Sequence, residues 1–305
     1  MVVGVRKFLP VAVAAPRGVV GEELVRRLSK HPWFEVVATP TVDDVSAGDA
    51  KLVFSALPPS AAPIQDAAWL SEGRWVFANS GGYPLGSVPV FVPEINPECF
   101  PSSEEPVRIA SPNCAAHGLC LALAPMQSLG LKRVLVSTLQ ATSGAGRNGV
   151  PELAAGDNLL PWIPEEEERL QCDAASLLEP ALDISATCHR VPVADGHVLS
   201  VSVELGKSVQ ESDLRQAFLA LHPTQLPTCP GVPLCLHDDP DRPQAAFDLD
   251  AGAGMQISLG RLRRCPVLGW KFTILIANRI RGGAGAMLLN AEFLARRFGW
   301  VDSAV

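Results

Sequence analysis

The chain is short of positive charge. It carries 25 Lys and Arg against 32 Asp and Glu, a formal net charge of -7. A nucleic-acid binder would present a basic face, so that class is excluded. None of its eight cysteines stands in a CxxC pair, which argues against a zinc ribbon or a redox dithiol, and no metal is expected. In a chain of this length they read as reduced thiols of a cytosol-like, cytoplasmic compartment. No stretch is long and apolar enough to span a bilayer, so no membrane association is expected. Arg6-Lys7 followed by Phe8 to Ala15 resembles a short leader. The apolar run is brief, however, and Pro16-Arg17-Gly18 ends it as a strand-to-turn junction would. Internal repeats are also missing.

The 305 residues are 48% apolar and 19% charged, the balance of a soluble globular protein with one large or two modest domains. Short apolar runs predict strands at Pro10 to Ala15, Phe34 to Thr39, Leu52 to Leu57, Trp75 to Asn79 and Val90 to Pro93. A helical pattern covers Gly21 to Leu28. Buried strands alternating with helices predict a parallel, doubly wound sheet. The turn after its first strand is where such a fold takes dinucleotide phosphates. After about residue 130 the strands lengthen: Arg133 to Gln140, Ile184 to Pro192, Gly196 to Leu205, Gly254 to Leu259 and Lys271 to Ile276. That half reads as an α+β domain with a mostly antiparallel sheet. Gly285 to Phe298 is a closing helix, Glu165 to Glu168 can begin one, and proline-rich Pro223 to Pro233 reads as a surface connection.

Ser111-Pro112-Asn113-Cys114 carries the chemistry. A rigid turn delivers a cysteine to the start of an apolar run, His117 to Met126, that reads as a helix. The positive end of a helix dipole favours a thiolate, which is the nucleophilic form. A buried structural cysteine is the competing reading. Downstream stand Gln140, Glu166, Arg190 and His197. Arginine can hold a carboxylate through two parallel hydrogen bonds, and histidine can move a proton near neutral pH. Ser143-Gly144-Ala145-Gly146 allows close approach of backbone to a ligand. Ala15, Gly18 and Gly21 form a glycine fingerprint with alanine in its first place.

These segments resemble the aspartate-β-semialdehyde dehydrogenase family, in its archaeal and fungal branch. The resemblance rests on Ser111 to Cys114, Gln140 to Gly146, Ile184 to Cys188, Arg190 to Val193, Asp195-Gly196-His197, Asp238 to Gln244 and Arg281 to Gly285. It implies a Rossmann-type dinucleotide-binding domain over residues 1–113, completed by the helix 285–305. A catalytic and dimerisation domain over 114–284 follows. The implied activity is NADP-dependent: Cys114 forms a thioester, and β-aspartyl phosphate is reduced to aspartate semialdehyde. By resemblance His197 is the acid/base partner and Gln140 orients the substrate. Arg190 holds the α-carboxylate, Glu166 the α-ammonium, and Arg169 the phosphate, while Asn113 shapes the site. Arg17, Gly18, Val19, Val20, Gly21, Ser143, Gly144 and Asn278 match cofactor positions. A homodimer or dimer of dimers is implied.

The chain departs from the pattern in three places. The segment after the second strand is shortened and leaves acidic Thr41-Val42-Asp43-Asp44, which admits NAD as well as NADP. Ala15 replaces a glycine. Asn79-Ser80-Gly81-Gly82-Tyr83-Pro84-Leu85 lacks the phosphate-gripping arginine, for which Arg147 or Arg169 could substitute. A decayed relative acting as a binding partner and a related acyl-phosphate reductase, such as that for N-acetylglutamyl phosphate, are the alternatives. The pairing of Glu166 with Arg190 favours a free amino acid over the latter.

Overall fold

A computed structural model describes residues 8–146, 149–153, 156–178 and 182–301. Arg147 and the last residues of the chain lie outside this set.

Five short strands form the first sheet: β1 (Leu9–Ala14), β2 (Phe34–Ala38), β3 (Leu52–Ser55), β4 (Trp75–Asn79) and β5 (Arg108–Ser111). Every pair is parallel, in the order β2-β1-β3-β4-β5. Parallel strands need crossovers, here including α1 (Val19–Leu28) and α2 (Ala62–Ser71). The apolar run at 9–14 is thus an inner strand of this sheet. The fifth strand differs from expectation. Val90 makes a single bridge to Ala110, and Arg108–Ser111 supplies the strand instead. Pro89 and Pro93 flank the Val90 segment and lack the N–H a ladder needs.

The second sheet is mixed. It contains β6 (Leu131–Gln140), β7 (Asp183–Arg190), β8 (His197–Leu205), β9 (Leu234–Leu236), β10 (Ile257–Cys265) and β11 (Gly269–Ile276), in the order β7-β6-β8-β11-β10-β9. The three central pairs are antiparallel, and the two outer pairs are parallel. Helix α3 (Cys114–Leu123) packs against the second sheet and against α4 (Glu166–Leu177), which lies along β7; α5 (Glu211–Leu219) and the short α6 (Ala245–Asp248) follow later in the chain. Residues 115–123 of α3 are all buried, and the helix covers one face of the second sheet with Leu119, Leu121 and Leu123. The last helix, α7 (Gly285–Arg297), returns to the first sheet. Its Met287, Leu288 and Leu294 share a core with Val11, Phe54 and Phe77.

The proline-rich segment is more than a surface connection. Leu226 is buried in that same core, and the Thr228 amide donates to Glu292 of α7 at 3.0 Å. Glu292 also accepts from His31 at 2.8 Å.

Helix α1 approaches its strand closely because residue 21 has no side chain. A Cβ on Gly21 would stand 2.1 Å from the Ala15 carbonyl oxygen and 2.9 Å from the Pro16 Cα. Those are backbone atoms that cannot rotate away. Gly21→Ala should therefore cost about 2 kcal/mol or more. Thermal unfolding checks this: an unchanged midpoint would show that the turn yields without cost.

Candidate active site

Asn113 is the N-cap of α3. Its Oδ1 accepts from the amides of Ala115 at 2.9 Å and Ala116 at 3.1 Å. This satisfies two of the unpaired donors that every helix start leaves, and it sets Cys114 as the first helical residue. The same side chain donates from Nδ2 to Glu166 Oε1 at 2.9 Å. Its own amide donates to Asp173 Oδ2 at 2.7 Å.

Glu166 begins α4. Its Oε1 takes a second donor, Gln140 Nε2, at 2.8 Å. Gln140 ends β6, is buried, and accepts through Oε1 from Arg190 Nη1 at 3.4 Å. Arg190 ends β7, directly beside Gln140 in the parallel register, and also donates to the Ala141 carbonyl at 2.9 Å. One neutral amide therefore joins a carboxylate to a guanidinium. Gln140, Glu166, Arg190 and Asn113 meet as expected.

His197 opens β8 and is wholly buried. Its Nδ1 accepts the Ala141 amide proton at 3.1 Å, while Nε2 has no hydrogen-bond partner among the described residues. Gly144 lies over both side chains: a Cβ there would fall 2.6 Å from Arg190 Nη1 and 3.3 Å from His197 Nε2. Gly144 thus touches the groups expected to hold substrate, while Ser143 turns aside. The Ser143 hydroxyl donates to Asp195 at 3.0 Å and accepts from Asn278 Nδ2 at 3.0 Å. Asn278 in turn accepts the Gly196 amide at 3.0 Å.

Arg169 sits one turn along α4 and donates to the Ser80 carbonyl at 3.1 Å and to Glu165 at 3.3 Å. It touches the turn that lacks the expected arginine. That turn is pinned from below by Tyr83, whose hydroxyl donates to buried Asp66 and whose ring lies 4.3 Å under Arg108. Arg17 to Gly21 lie at the start of α1. They reach the same region through the glycine pair 282–283. A Cβ on Gly282 would meet Cys114 Cβ at 2.4 Å, and one on Gly283 would meet Val20 at 3.4 Å. The acidic stretch after β2 is a tight turn in which Asp44 binds its own loop, and Pro40 accepts the Ala15 amide at 2.9 Å.

Asp173 joins this cluster with no motif to mark it, while Ser80 and Gly282 stand in it as members of longer motifs. Asp173 is buried and accepts from the Ser80 hydroxyl at 2.6 Å. A signal for it existed: Glu166, Arg169 and Asp173 are spaced i, i+3, i+7, one face of a helix.

The electrostatics differ from expectation at the cysteine. Burial, with the Glu166 charge adding to it, pushes the Cys114 thiol up to about 12, against the lowering effects of Arg190 and the helix-start amides. Burial also presses His197 down to about 3, assisted by Arg190. His117, buried on α3, is held well below the usual histidine range by burial and then by Arg281.

These shifts fix a pH dependence. A histidine whose folded value is depressed stays neutral while its unfolded counterpart protonates near 6.5. The unfolded state then binds more protons, and stability falls as pH drops below that value. Asp66 and Asp173, both raised chiefly by burial, take up protons in the folded state and partly oppose this. Net stability should fall by on the order of 1–2 kcal/mol per pH unit between about pH 6 and 5. Urea unfolding at pH 7, 6 and 5 measures it, and a flat profile would contradict buried neutral imidazoles.

The comparisons with known proteins agree with this architecture. The family model described as semialdehyde dehydrogenase, dimerisation domain, matches residues 123–281. An aspartate-semialdehyde dehydrogenase of Archaeoglobus fulgidus is 34% identical, over 94% of this chain and 98% of that protein. One from Methanothermobacter thermautotrophicus is 32% identical, over 93% and 98%. The crystal structure of the Candida albicans aspartate semialdehyde dehydrogenase with NADP superposes with a TM-score of 0.81 at 24% identity, covering 96% of this chain and 99% of that one. With a parallel sheet, a mixed sheet and a cysteine-headed helix packed on the latter, the chain belongs to the aspartate-semialdehyde dehydrogenase family.

Proposed function

We propose that the protein is an NADP-dependent, phosphorylating aspartate-semialdehyde dehydrogenase, working in the biosynthetic direction on β-aspartyl phosphate. The observation that carries this reading is the chain Glu166–Gln140–Arg190 beside Cys114. It offers one anion and one cation at fixed separation, as a zwitterionic amino acid requires. The spacing favours a free amino acid over an acyl-phosphate substrate whose amine is blocked.

In this reading Arg190 holds the α-carboxylate and Glu166 the α-ammonium, and Gln140 fixes the distance between them. Cys114 attacks the acyl carbon and carries the acyl group as a thioester. Arg169 receives the phosphate at the Ser80 turn. Asp173 keeps that turn and the Asn113 backbone in place.

The start of α1 fits a dinucleotide. Gly18 is the N-cap with no side-chain cap, so the first-turn amides of a ten-residue helix stay available to a pyrophosphate. Gly21 keeps the turn tight, and Ser143, Gly144 and Asn278 lie at the other side of the site. When bound, NADP supplies the hydride chemistry. NAD is an admissible alternative because Asp43 and Asp44 follow β2. We assign the dinucleotide domain to residues 1–113 with 285–305, and the catalytic and dimerisation domain to 114–284. The second sheet turns Leu135 and Leu139 of β6 outward, 48% and 44% exposed, and a homodimer through this face would cover them. A cytoplasmic location accords with eight free cysteines.

The test is phosphate-dependent reduction of NADP with aspartate semialdehyde. Cys114→Ser should abolish turnover and leave the thermal midpoint in place; retained turnover would displace the nucleophile. Arg190→Ala should raise the substrate KM by roughly 10- to 100-fold, since a charged hydrogen-bond partner is worth about 1.5–3 kcal/mol. An unchanged KM would remove Arg190 from the substrate site. Absence of turnover in the wild-type chain, with Cys114 still open to alkylation, would favour the decayed relative.

A further inference from the structure

Two crossings between the sheets meet at Cys114. At 111–114 the chain leaves the first sheet and enters α3. After β11 it returns through a π-helical turn, Ile280–Ala284, that leads into α7. Gly282 of that turn lies against the nucleophile's helix: a Cβ on it would stand 2.4 Å from Cys114 Cβ and 2.8 Å from Cys114 Cα. Its neighbour Gly283 lies against Val20, in the first turn of α1. One short turn therefore backs both Cys114 and the helix start that fits a dinucleotide.

Such a turn is not fixed by its own bonding. The Gly282 amide donates to the Ala277 carbonyl at 3.3 Å and the Ala284 amide to the Arg279 carbonyl at 2.9 Å, each five residues back. Helical coils of this width are rare and short. Gly283 departs from helical dihedrals altogether, with φ -143° and ψ -105°. Two arginines hold the turn from outside. Arg279 Nε donates at 2.6 Å to Asp195, in the connection from β7 to β8. Arg281 Nη2 donates at 2.5 Å to Glu94, in the connection from β4 to β5. The first pair is open to water and holds weakly. The second is wholly buried on both sides.

Glu94 is itself held in place. Asn96 closes its loop, accepting the Val92 amide at 2.9 Å and donating to the Val90 carbonyl at 3.0 Å. Among the described residues, Arg281 bonds to no side chain other than Glu94. His117, one turn beyond Cys114 on α3, lies near enough for Arg281 to oppose its protonation. Two apolar side chains of similar volume often stabilise a fold as well as a buried ion pair does. What the ion pair adds is direction. It admits one placement of residue 281, and residue 281 precedes the glycine that rests on Cys114.

We propose that the buried Glu94–Arg281 pair is a positioning device: it seats the turn 280–284 between α3 and α1, and so fixes Cys114 relative to the bound dinucleotide. This rests on the function proposed above.

The test uses the full chain. The double variant Glu94→Leu, Arg281→Met removes both ions and strands neither, so it keeps the fold. Its NADP dissociation constant, read by calorimetry, should rise about 10- to 100-fold, the scale of loss that a misplacement near 1 Å brings. Its KM for aspartate semialdehyde should stay within about threefold, because Glu166 and Arg190 stand on other elements. General loosening would raise both together, and a parallel rise overturns the proposal. Arg281→Lys keeps a cation for Glu94, which takes a single N–H here, and should hold the dissociation constant within about threefold of the wild type. Iodoacetamide reads the thiol without cofactor or turnover. Alkylation of Cys114, followed by peptide mass spectrometry, should quicken about tenfold or more in the double variant as residue 282 lifts away. Wild-type NADP affinity with wild-type alkylation in that variant overturns the inference, as does an Arg281→Lys enzyme no better than the double variant. Should the double variant not fold, Glu94→Gln carries the comparison. It leaves Nη2 a neutral acceptor, so a dissociation constant raised about three- to tenfold is expected, and an unchanged one overturns the proposal. If the wild-type protein neither binds NADP nor turns over aspartate semialdehyde, the functional reading fails, while the alkylation rates still decide whether the pair seats residue 282.

Discussion

One side-chain amide holds the site together. Asn113 caps α3 with its oxygen, grips Glu166 of α4 with its nitrogen, and has its own backbone amide bound by Asp173. The helix that carries Cys114 and the helix that carries Glu166, Arg169 and Asp173 are thereby locked in one relative position. An aspartate could cap the helix equally well, but it has no donor for Glu166. Two carboxylates would then face each other in a half-buried place, which is unfavourable. The asparagine is specified by needing to accept on one side and donate on the other.

The same geometry explains why the helix start does not draw the Cys114 thiol downward. A helix dipole contributes about 0.3–1 kcal/mol at its terminus, and up to about 2 in favourable buried settings. Moving an ion out of water costs several kcal/mol after relaxation. With Glu166 adding like charge, the second effect wins. Arg190 is the compensating cation, and its hydrogen bonds run to Gln140 and to a carbonyl rather than to the sulfur. Burial thus disfavours ionisation of both Cys114 and His197.

Much of this was legible in the chain. The parallel strands announced themselves as short apolar runs, and Asn113, Gln140, Glu166 and Arg190, named from their motifs, are joined by hydrogen bonds. The failures share one physical origin, contacts between residues distant in sequence. Arg108–Ser111 is too short and too polar at its start to stand out as a strand, and only pairing with β4 makes it one. Leu226 looks like part of a proline-rich surface loop until α7 provides its core. The thiol's state depends on how deeply two helices bury it, which no local pattern records. Gly282 is visible as a motif glycine, but its reason, a backbone laid against Cys114 Cβ, is purely tertiary.

The Gln140 amide shows how such a site can wait without substrate. In the structure Glu166 accepts from two amides, and Arg190 is satisfied by Gln140 and the Ala141 carbonyl. Neither the half-buried carboxylate nor the buried guanidinium is left unpaired, yet each partner is neutral and so exerts a weaker hold than an ion would. In the proposed reading, a substrate with both an ammonium and a carboxylate exchanges two neutral partners for two charged ones and gains at both ends. A substrate with only one of those charges gains at one end and leaves the other ion with a neutral partner at most. Selectivity then comes from the pairing of the two sites through one shared amide, and it requires no close-fitting wall around the substrate.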